Sequence, residues 1–265
     1  MTYVHGGGTS GLFSKAAASY AKYRPEYPPE LYKVILHRAK VPALELAVDV
    51  ATGSGQAAKG LSTYFSKVIA LDHDAEQLKH APTLPNVAFQ LGTAEHTGVG
   101  SNTADLVAIA AGLHWLDHDK FYPEAHRILK PGGCLAAWGY DLLTFPDNQE
   151  AQKLLHKLFS VTLGPYWHPT VDHVWRHYKD IKPLPALFRT QHMQLGVKTT
   201  MTLSTLAGLV STWSAYNSYR KDNPQQPDPL VKFKEDFLQA AHLSSSREEF
   251  RASYPLFLML CVACE

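Results

Sequence analysis

The sequence predicts an α/β protein built on a doubly wound, mostly parallel sheet. Short apolar runs alternate with helical segments over the first half of the chain. The first clear run, Val48-Asp49-Val50, enters a glycine-rich turn, Ala51-Thr52-Gly53-Ser54-Gly55, and a helix follows. The next run, Ala70-Leu71-Asp72, ends in an acid. Alternating strands and helices give a parallel sheet covered on both faces, and right-handed crossovers bring every strand's C-terminal end to one rim, where ligands bind.

The elements follow in order. A helix is expected over Ser14–Lys22, after a glycine-rich opening expected to be disordered without ligand. Pro28-Pro29 opens a second helix that ends near Lys40. Strand one is Leu46–Val50, followed by a helix over Gln56–Phe65. Strand two is Lys67–Leu71, and Asp74–His80 is helical until Pro82 and Pro85. Strands three, four and five are Val87–Leu91, Asp105–Ile109 and Cys134–Trp138. Past Tyr140 the alternation stops. Gln149–Leu163 reads as an amphipathic helix, and 164–185 is rich in Trp, His, Tyr and Pro without a period. Phe188–Thr202 is extended and reads as a hairpin, and Leu203–Tyr219 is helical. Pro224–Pro229 is a polar loop, Leu230–Ala241 and Arg247–Arg251 are helical, and Tyr254–Ala263 is a last apolar strand.

The turn after strand one selects the ligand. Small residues let backbone approach closely, and an acid ending strand two suits ribose hydroxyls. A dinucleotide site wants G-x-G-x-x-G to seat a pyrophosphate. This turn lacks that pattern, and the Asp49 carboxylate would repel phosphate. S-adenosylmethionine carries a sulfonium and an ammonium and no phosphate, so charge favours it.

The turn Asp49–Gly55 resembles the D-x-G-x-G-x-G turn of class I S-adenosylmethionine-dependent methyltransferases, with Ala51 at the first glycine. Phe13-Ser14 and Tyr20–Pro28 resemble the N-terminal lid of small-molecule enzymes related to trans-aconitate methyltransferase. Gly92-Thr93-Ala94-Glu95-His96 resembles the adenine-contacting turn, with Thr93 where an aspartate is usual. Ala104–Ala111 running into Leu113–Asp117, and Ala125–Gly133, resemble the segments around strands four and five. The resemblance implies a seven-stranded Rossmann-like sheet, completed by an antiparallel strand pair, with helical lid and cap insertions. It also implies one methyltransferase domain over 1–265: lid helices in 1–40, a cofactor-binding core in 45–140, and cap helices plus final strands in 141–265.

The expected cofactor-binding residues are Asp49, Ala51, Thr52, Gly53, Gly55, Gln56, Asp72, His73, Ala94, Glu95 and Ala110. Asp49 faces the ligand ammonium or supports the turn, Asp72 takes the ribose with His73 or Asp74 beside it, and Ala94 contributes its backbone N–H. His114 follows strand four at the rim, where it acts as a base, orients substrate, or packs beneath a lid. Tyr20, Tyr23, Arg24, Trp115, Trp138 and Tyr140 are the expected substrate wall, with Arg24 suited to a carboxylate. Trp213, Tyr216 and Arg220 share a helical face and are candidates for the far side.

Composition narrows the partners. The 265 residues carry a net charge of +1 and no basic stripe, unlike a nucleic-acid binder. Three cysteines suit a reducing compartment, and Cys261-Val262-Ala263-Cys264 reads as strand, not zinc ligands. No apolar run approaches a membrane span, and no signal pattern opens the chain, so a cytoplasmic monomer or homodimer acting on a small molecule is expected. Although His114 and His118 are four apart, no convincing ligand set emerges, and no metal is expected. The competing functions are a nicotinamide-dependent oxidoreductase and a non-catalytic S-adenosylmethionine-binding module that works through a protein partner. Titration calorimetry with NADH is expected to give no binding heat, since the turn has no place for a pyrophosphate.

Overall fold

A computed structural model describes residues 19, 22–41 and 43–264 of the chain. Most of the expected lid helix Ser14–Lys22, including Tyr20, lies outside these residues; Ser19, Lys22 and Tyr23 are helical. Pro29–Ala39 forms helix α1. It opens on a proline, whose missing N–H costs nothing at a helix start, and closes on Lys40 in the left-handed conformation (φ 50°).

The sheet strands are β1 (Leu46–Val50), β2 (Lys67–Asp72), β3 (Val87–Leu91), β4 (Ala104–Ala110) and β5 (Leu129–Tyr140). Their connecting helices are α2 (Gln56–Leu61), α3 (Ala75–Leu78) and α4 (His118–Ile128). Then follow α5 (Gln149–His156), α6 (Asp172–Trp175), β6 (Phe188–Thr202), α7 (Leu203–Ser211), α8 (Ser214–Asp222), α9 (Pro229–Ala240) and β7 (Glu249–Ala263). The seven strands make one sheet in the order β3-β2-β1-β4-β5-β7-β6, with the first five parallel and β7 antiparallel to both its neighbours.

Both faces of the sheet are covered. On one, Leu31, Tyr32 and Ile35 of α1 and Ala57, Ala58 and Leu61 of α2 pack on Ala47, Leu106 and Trp138. On the other, Phe121, Tyr122, Ala125 and Ile128 of α4 pack on Val107, Leu135 and Met259. The strands that lie between the two layers are mostly apolar, as a doubly covered parallel sheet requires, and the buried acids Asp49, Asp72 and Asp105 interrupt them near their ends.

The antiparallel pair positions the cap. β6 and β7 pair over their full length, from Phe188–Ala263 to Thr202–Glu249, whereas β5 meets β7 only from Cys134–Val262 to Tyr140–Leu256. The far ends of β6 and β7 therefore run on past the end of β5, carrying α7, α8 and α9 beyond the rim. Leu206, Val210, Phe233 and Phe237 of these helices form a separate core with Leu155 of α5.

Several sequence expectations need correction. Phe188–Thr202 is one long strand and not a hairpin, because its partner is the distant β7. Arg247–Arg251 is not helical: Glu249–Arg251 pair with Thr200–Thr202, and Arg251 holds Asp147 through two N–H···O bonds. Leu203–Tyr219 breaks into α7 and α8 at Thr212-Trp213, where the Thr212 hydroxyl turns back to the Leu209 carbonyl at 2.6 Å. Gln149–Leu163 is helical as expected to Thr162, but its second half, Lys157–Thr162, widens from α to π geometry. Strand five begins earlier than expected, at Leu129, with a register shift opposite β4 that sets Pro131–Gly133 outside the ladder. The helix after β1 ends at Leu61, where the Ser62 hydroxyl bonds the Lys59 carbonyl. The reading of Cys261–Cys264 as strand holds through Ala263, and all three cysteines are free.

One close packing contact tests this account. A Cβ on Gly60 of α2 would lie 2.0 Å from the Tyr32 hydroxyl and 2.1 Å from its Cζ. Alanine adds about 1 kcal/mol of helix propensity but overpacks this contact by about 1–3 kcal/mol or more. Gly60→Ala is expected to lower the thermal midpoint, and Tyr32→Leu in the same chain to restore part of the loss.

Candidate active site

The site grows from the turn that leaves β1. Ala51 (φ 52°), Gly53 (φ 58°) and Gly55 (φ 87°) all sit in the left-handed region. Gly53 and Gly55 adopt it freely, whereas Ala51 pays about 1 kcal/mol or more for its methyl. A Cβ on Gly55 would strike the Phe89 ring at 2.8 Å, so that position also needs glycine for space. The Thr52 N–H reaches the Leu71 carbonyl at 2.9 Å, tying the turn to the end of β2.

Two carboxylates hold this turn. Asp72 is almost fully buried; its Oδ2 accepts the Gly53 N–H at 2.7 Å and its Oδ1 the Asp74 N–H at 2.8 Å. Asp49 has no exposed surface. Thr52 Oγ1 donates to its Oδ2 at 2.5 Å, while Oδ1 has no hydrogen-bond partner among the described residues. Burial pushes the Asp49 carboxyl up to about 7; the Thr52 bond and the nearby Ala58 N–H draw it back in part, and the Asp72 charge adds to the rise.

The second wall comes from the turns after β3 and β4. Ala94 is buried, and Glu95 Oε1 accepts the Asp117 N–H at 3.0 Å, which joins these two turns. Ala111 (φ 53°) and Gly112 lead into a 3-10 turn over Leu113–Trp115. A Cβ on Gly112 would meet the Ala51 Cβ at 3.0 Å, so the turns after β1 and β4 fit together only because both are small. His114 is 8% exposed, with Nδ1 3.2 Å from the Tyr178 hydroxyl and its ring against Trp115 at 4.6 Å. Burial drives its pKa down to about 3, helped by the positive fields of His173, His168, His118 and Arg24, so the imidazole is neutral at neutral pH.

Arg24 closes the crevice. Its guanidinium donates to the Tyr140 hydroxyl at the end of β5 and to the Thr212 carbonyl, at 3.3 Å, in the break between α7 and α8. A crevice opens below it, lined by Arg24, Pro25, Tyr27, Ala51, Thr52, Gly53, Gln56, Ala57, Ala110 and Tyr140.

The residues expected from sequence fall into three groups. Ala51, Thr52, Gly53, Gln56, Ala110, Arg24 and Tyr140 line one crevice; Asp49, Gly55 and Asp72 support it from behind. Ala94, Glu95, His114 and Trp115 stand on the adjacent turns, and His73 lies mostly exposed 3.5 Å from Asp72. Others are placed elsewhere. Trp138 is fully buried in the core, edge-on to Tyr27 and Tyr32. Tyr23 packs on Gly208 of α7, where any added Cβ would meet its ring. Trp213, Tyr216 and Arg220 serve the cap: Trp213 packs on Phe159, Tyr216 bonds Asp228, and Arg220 bonds the Gln226 carbonyl. The sequence reading missed Pro25, Tyr27, Tyr178 and the Thr212 carbonyl. Tyr27 lies inside the lid motif, and the aromatic, histidine-rich 164–185 segment was the one signal for Tyr178.

A parallel sheet carrying a glycine turn and two buried acids at one rim defines a class I methyltransferase type of site. Residues 48–137 match the methyltransferase domain family model. A protein named as a methyltransferase in Dictyostelium discoideum is 31% identical over 250 residues, covering 94% of this chain and 93% of that one. One named as an S-adenosylmethionine-dependent methyltransferase in Saccharomyces cerevisiae is 23% identical, covering 92% of this chain and 94% of that one. A solved structure described as a type II methyltransferase from Anaeromyxobacter dehalogenans superposes with a TM-score of 0.78 at 28% identity, over 90% of this chain and 97% of that one. The chain belongs to the class I S-adenosylmethionine-dependent methyltransferases. No helix among the described residues is long and apolar enough to cross a membrane.

The state of Asp49 can be read from stability. Its unfolded value is near 4, so between about pH 4 and pH 7 the unfolded chain has lost a proton that the folded chain keeps. This group's contribution therefore falls as pH rises through that window, by on the order of 4 kcal/mol in all. Urea unfolding without ligand is expected to show the Asp49→Asn variant gaining on the wild type from pH 4 to pH 7.

Proposed function

We propose that the protein transfers the methyl group of S-adenosylmethionine to a small-molecule carboxylate, forming a methyl ester. The observation that carries this reading is the pairing of a cation with a non-basic imidazole at one rim. Arg24 lies over the crevice that the Ala51–Gly53 turn lines, and His114 on the neighbouring turn is neutral with a strongly lowered pKa.

The residues fit the cofactor. The small turn leaves room for close backbone approach, and the buried Asp49 Oδ1 offers a negative partner for the ligand's ammonium. Asp72 keeps lone pairs for the ribose beyond those engaged by Gly53 and Asp74. Ala94 and Glu95 flank the expected adenine position. When bound, the cofactor supplies a methyl on a cationic sulfur, which a carboxylate oxygen takes with no proton moving while the carbon–sulfur electron pair returns to sulfur.

The chain's own part is alignment. Arg24 clamps the acceptor carboxylate by charge-assisted hydrogen bonds, and Tyr140 and the Thr212 carbonyl hold the guanidinium in place. His114, with a conjugate acid far more acidic than a phenol or an ammonium, is ill matched to proton abstraction and serves to orient substrate. Trp115 adds an apolar wall. The resemblance to the trans-aconitate methyltransferase group points the same way, and β6 and β7 bind cap to core as one domain.

Calorimetry is expected to show micromolar binding of both S-adenosylmethionine and S-adenosylhomocysteine; absence of heat with either would sink the proposal. With a carboxylate found by screening, Arg24→Ala and His114→Ala are each expected to lower kcat/KM by about 10-fold to 100-fold, the size of a lost charged hydrogen bond, with cofactor affinity retained.

A further inference from the structure

The segment between α6 and β6 contains two successive non-glycine residues in the left-handed conformation, His177 (φ 55°) and Tyr178 (φ 58°). Such a pair is strained and persists only where its surroundings hold it. Here both side chains are held. His177 Nε2 lies 2.9 Å from Asp141 Oδ2, Gln194 Nε2 lies 3.0 Å from its Nδ1, and its ring stacks on Phe257 at 5.0 Å. Tyr178 is fully buried, with its ring edge-on to the same Phe257 at 5.1 Å. The kink brings the Tyr178 hydroxyl to Nδ1 of His114 at 3.2 Å, across 64 residues of sequence.

We propose that Tyr178 is a positioning residue that donates its O–H to Nδ1 of His114, fixes the imidazole as the Nε2–H tautomer, and so makes His114 a hydrogen-bond donor to the acceptor. A phenol donates strongly and accepts poorly, because its oxygen lone pair is drawn into the ring. The bond to the sp² nitrogen is therefore better in this direction than in the reverse. Nε2 has no hydrogen-bond partner among the described residues, which leaves its N–H for a ligand. Together with the Arg24 guanidinium that lines the crevice, such a donor selects a methyl acceptor that presents oxygen lone pairs, as a carboxylate does, over one whose proton must first be removed.

This inference rests on the proposed methyl transfer only for the identity of the acceptor; the tautomer is a property of the protein alone. Long-range ¹⁵N NMR of histidine-labelled protein at pH 7, with His114 assigned by its loss in His114→Gln, reads it directly. The expected spectrum has a pyridine-type Nδ1 and a pyrrole-type Nε2. Tyr178→Phe, which keeps the ring and its packing, is expected to give a mixed tautomer signal and to lower kcat/KM for a carboxylate by about 5-fold to 10-fold, the loss of one hydrogen bond, at unchanged S-adenosylhomocysteine affinity. A pyrrole-type Nδ1 in the wild type, or a signal unmoved in Tyr178→Phe, overturns the assignment. The wild-type tautomer is read without Tyr178→Phe, so a Tyr178→Phe chain that fails to fold leaves the test standing. Absent S-adenosylhomocysteine binding with the expected tautomer would instead overturn the methyl-transfer reading and leave the tautomer standing.

Discussion

Asp72 accepts the Gly53 N–H from beneath the turn, and most of the site depends on that one hydrogen bond. It links the ends of β1 and β2, sets the path of Ala51–Gly55, and so fixes where α2 begins. Because the turn lies this close to the sheet, its neighbours must be small too: Gly112 almost touches Ala51, and Phe89 fills the space beside Gly55. Under the proposed function the same carboxylate meets the ribose with the lone pairs that Gly53 and Asp74 leave free. Asp49 shows the same economy. It is buried with one oxygen satisfied by Thr52 and the other without a hydrogen-bond partner among the described residues, an arrangement that costs stability; under the proposed function the cofactor's ammonium meets that second oxygen.

The second constraint is mechanical. The rim of a parallel sheet is open, and a reaction that must exclude water needs a roof. The extension of β6 and β7 past β5 supplies the support, and α7, α8 and α9 sit on it with a core of their own. Arg24 then ties three parts together: the N-terminal strap that bears it, Tyr140 at the end of β5, and the broken turn between α7 and α8. The break at Thr212 thereby matters to the site, because it turns a helix carbonyl outward to where the guanidinium can reach it.

The strands of the first half were legible because local pattern and tertiary fate agree there. Leu46–Val50 and Val87–Leu91 are apolar segments bounded by turn residues, and the structure returns the same limits. The cofactor turn was legible for a similar reason, since its glycines answer to local backbone geometry. Legibility failed where a partner far along the chain decided the outcome. Glu249–Arg251 carry helix-forming residues, yet pairing with Thr200–Thr202 makes them strand. Trp138 looked like a pocket aromatic because it ends an apolar run near the rim, but it lies one pleat deeper than Tyr140 on the same face of β5, where Tyr27 and Tyr32 cover it.

The amino-acid order alone determined the parallel core, the small turn and the two acids that frame it, because period, glycine and charge act over a few residues. Only the tertiary structure decided which polar groups meet. Arg24 finds Tyr140 and Thr212, and Tyr178 finds His114, across separations of 116, 188 and 64 residues. The long β6–β7 pairing and the strained His177-Tyr178 turn create those meetings. A periodic pattern records which face of an element is buried, but it carries no information about which distant side chain will lie across from it.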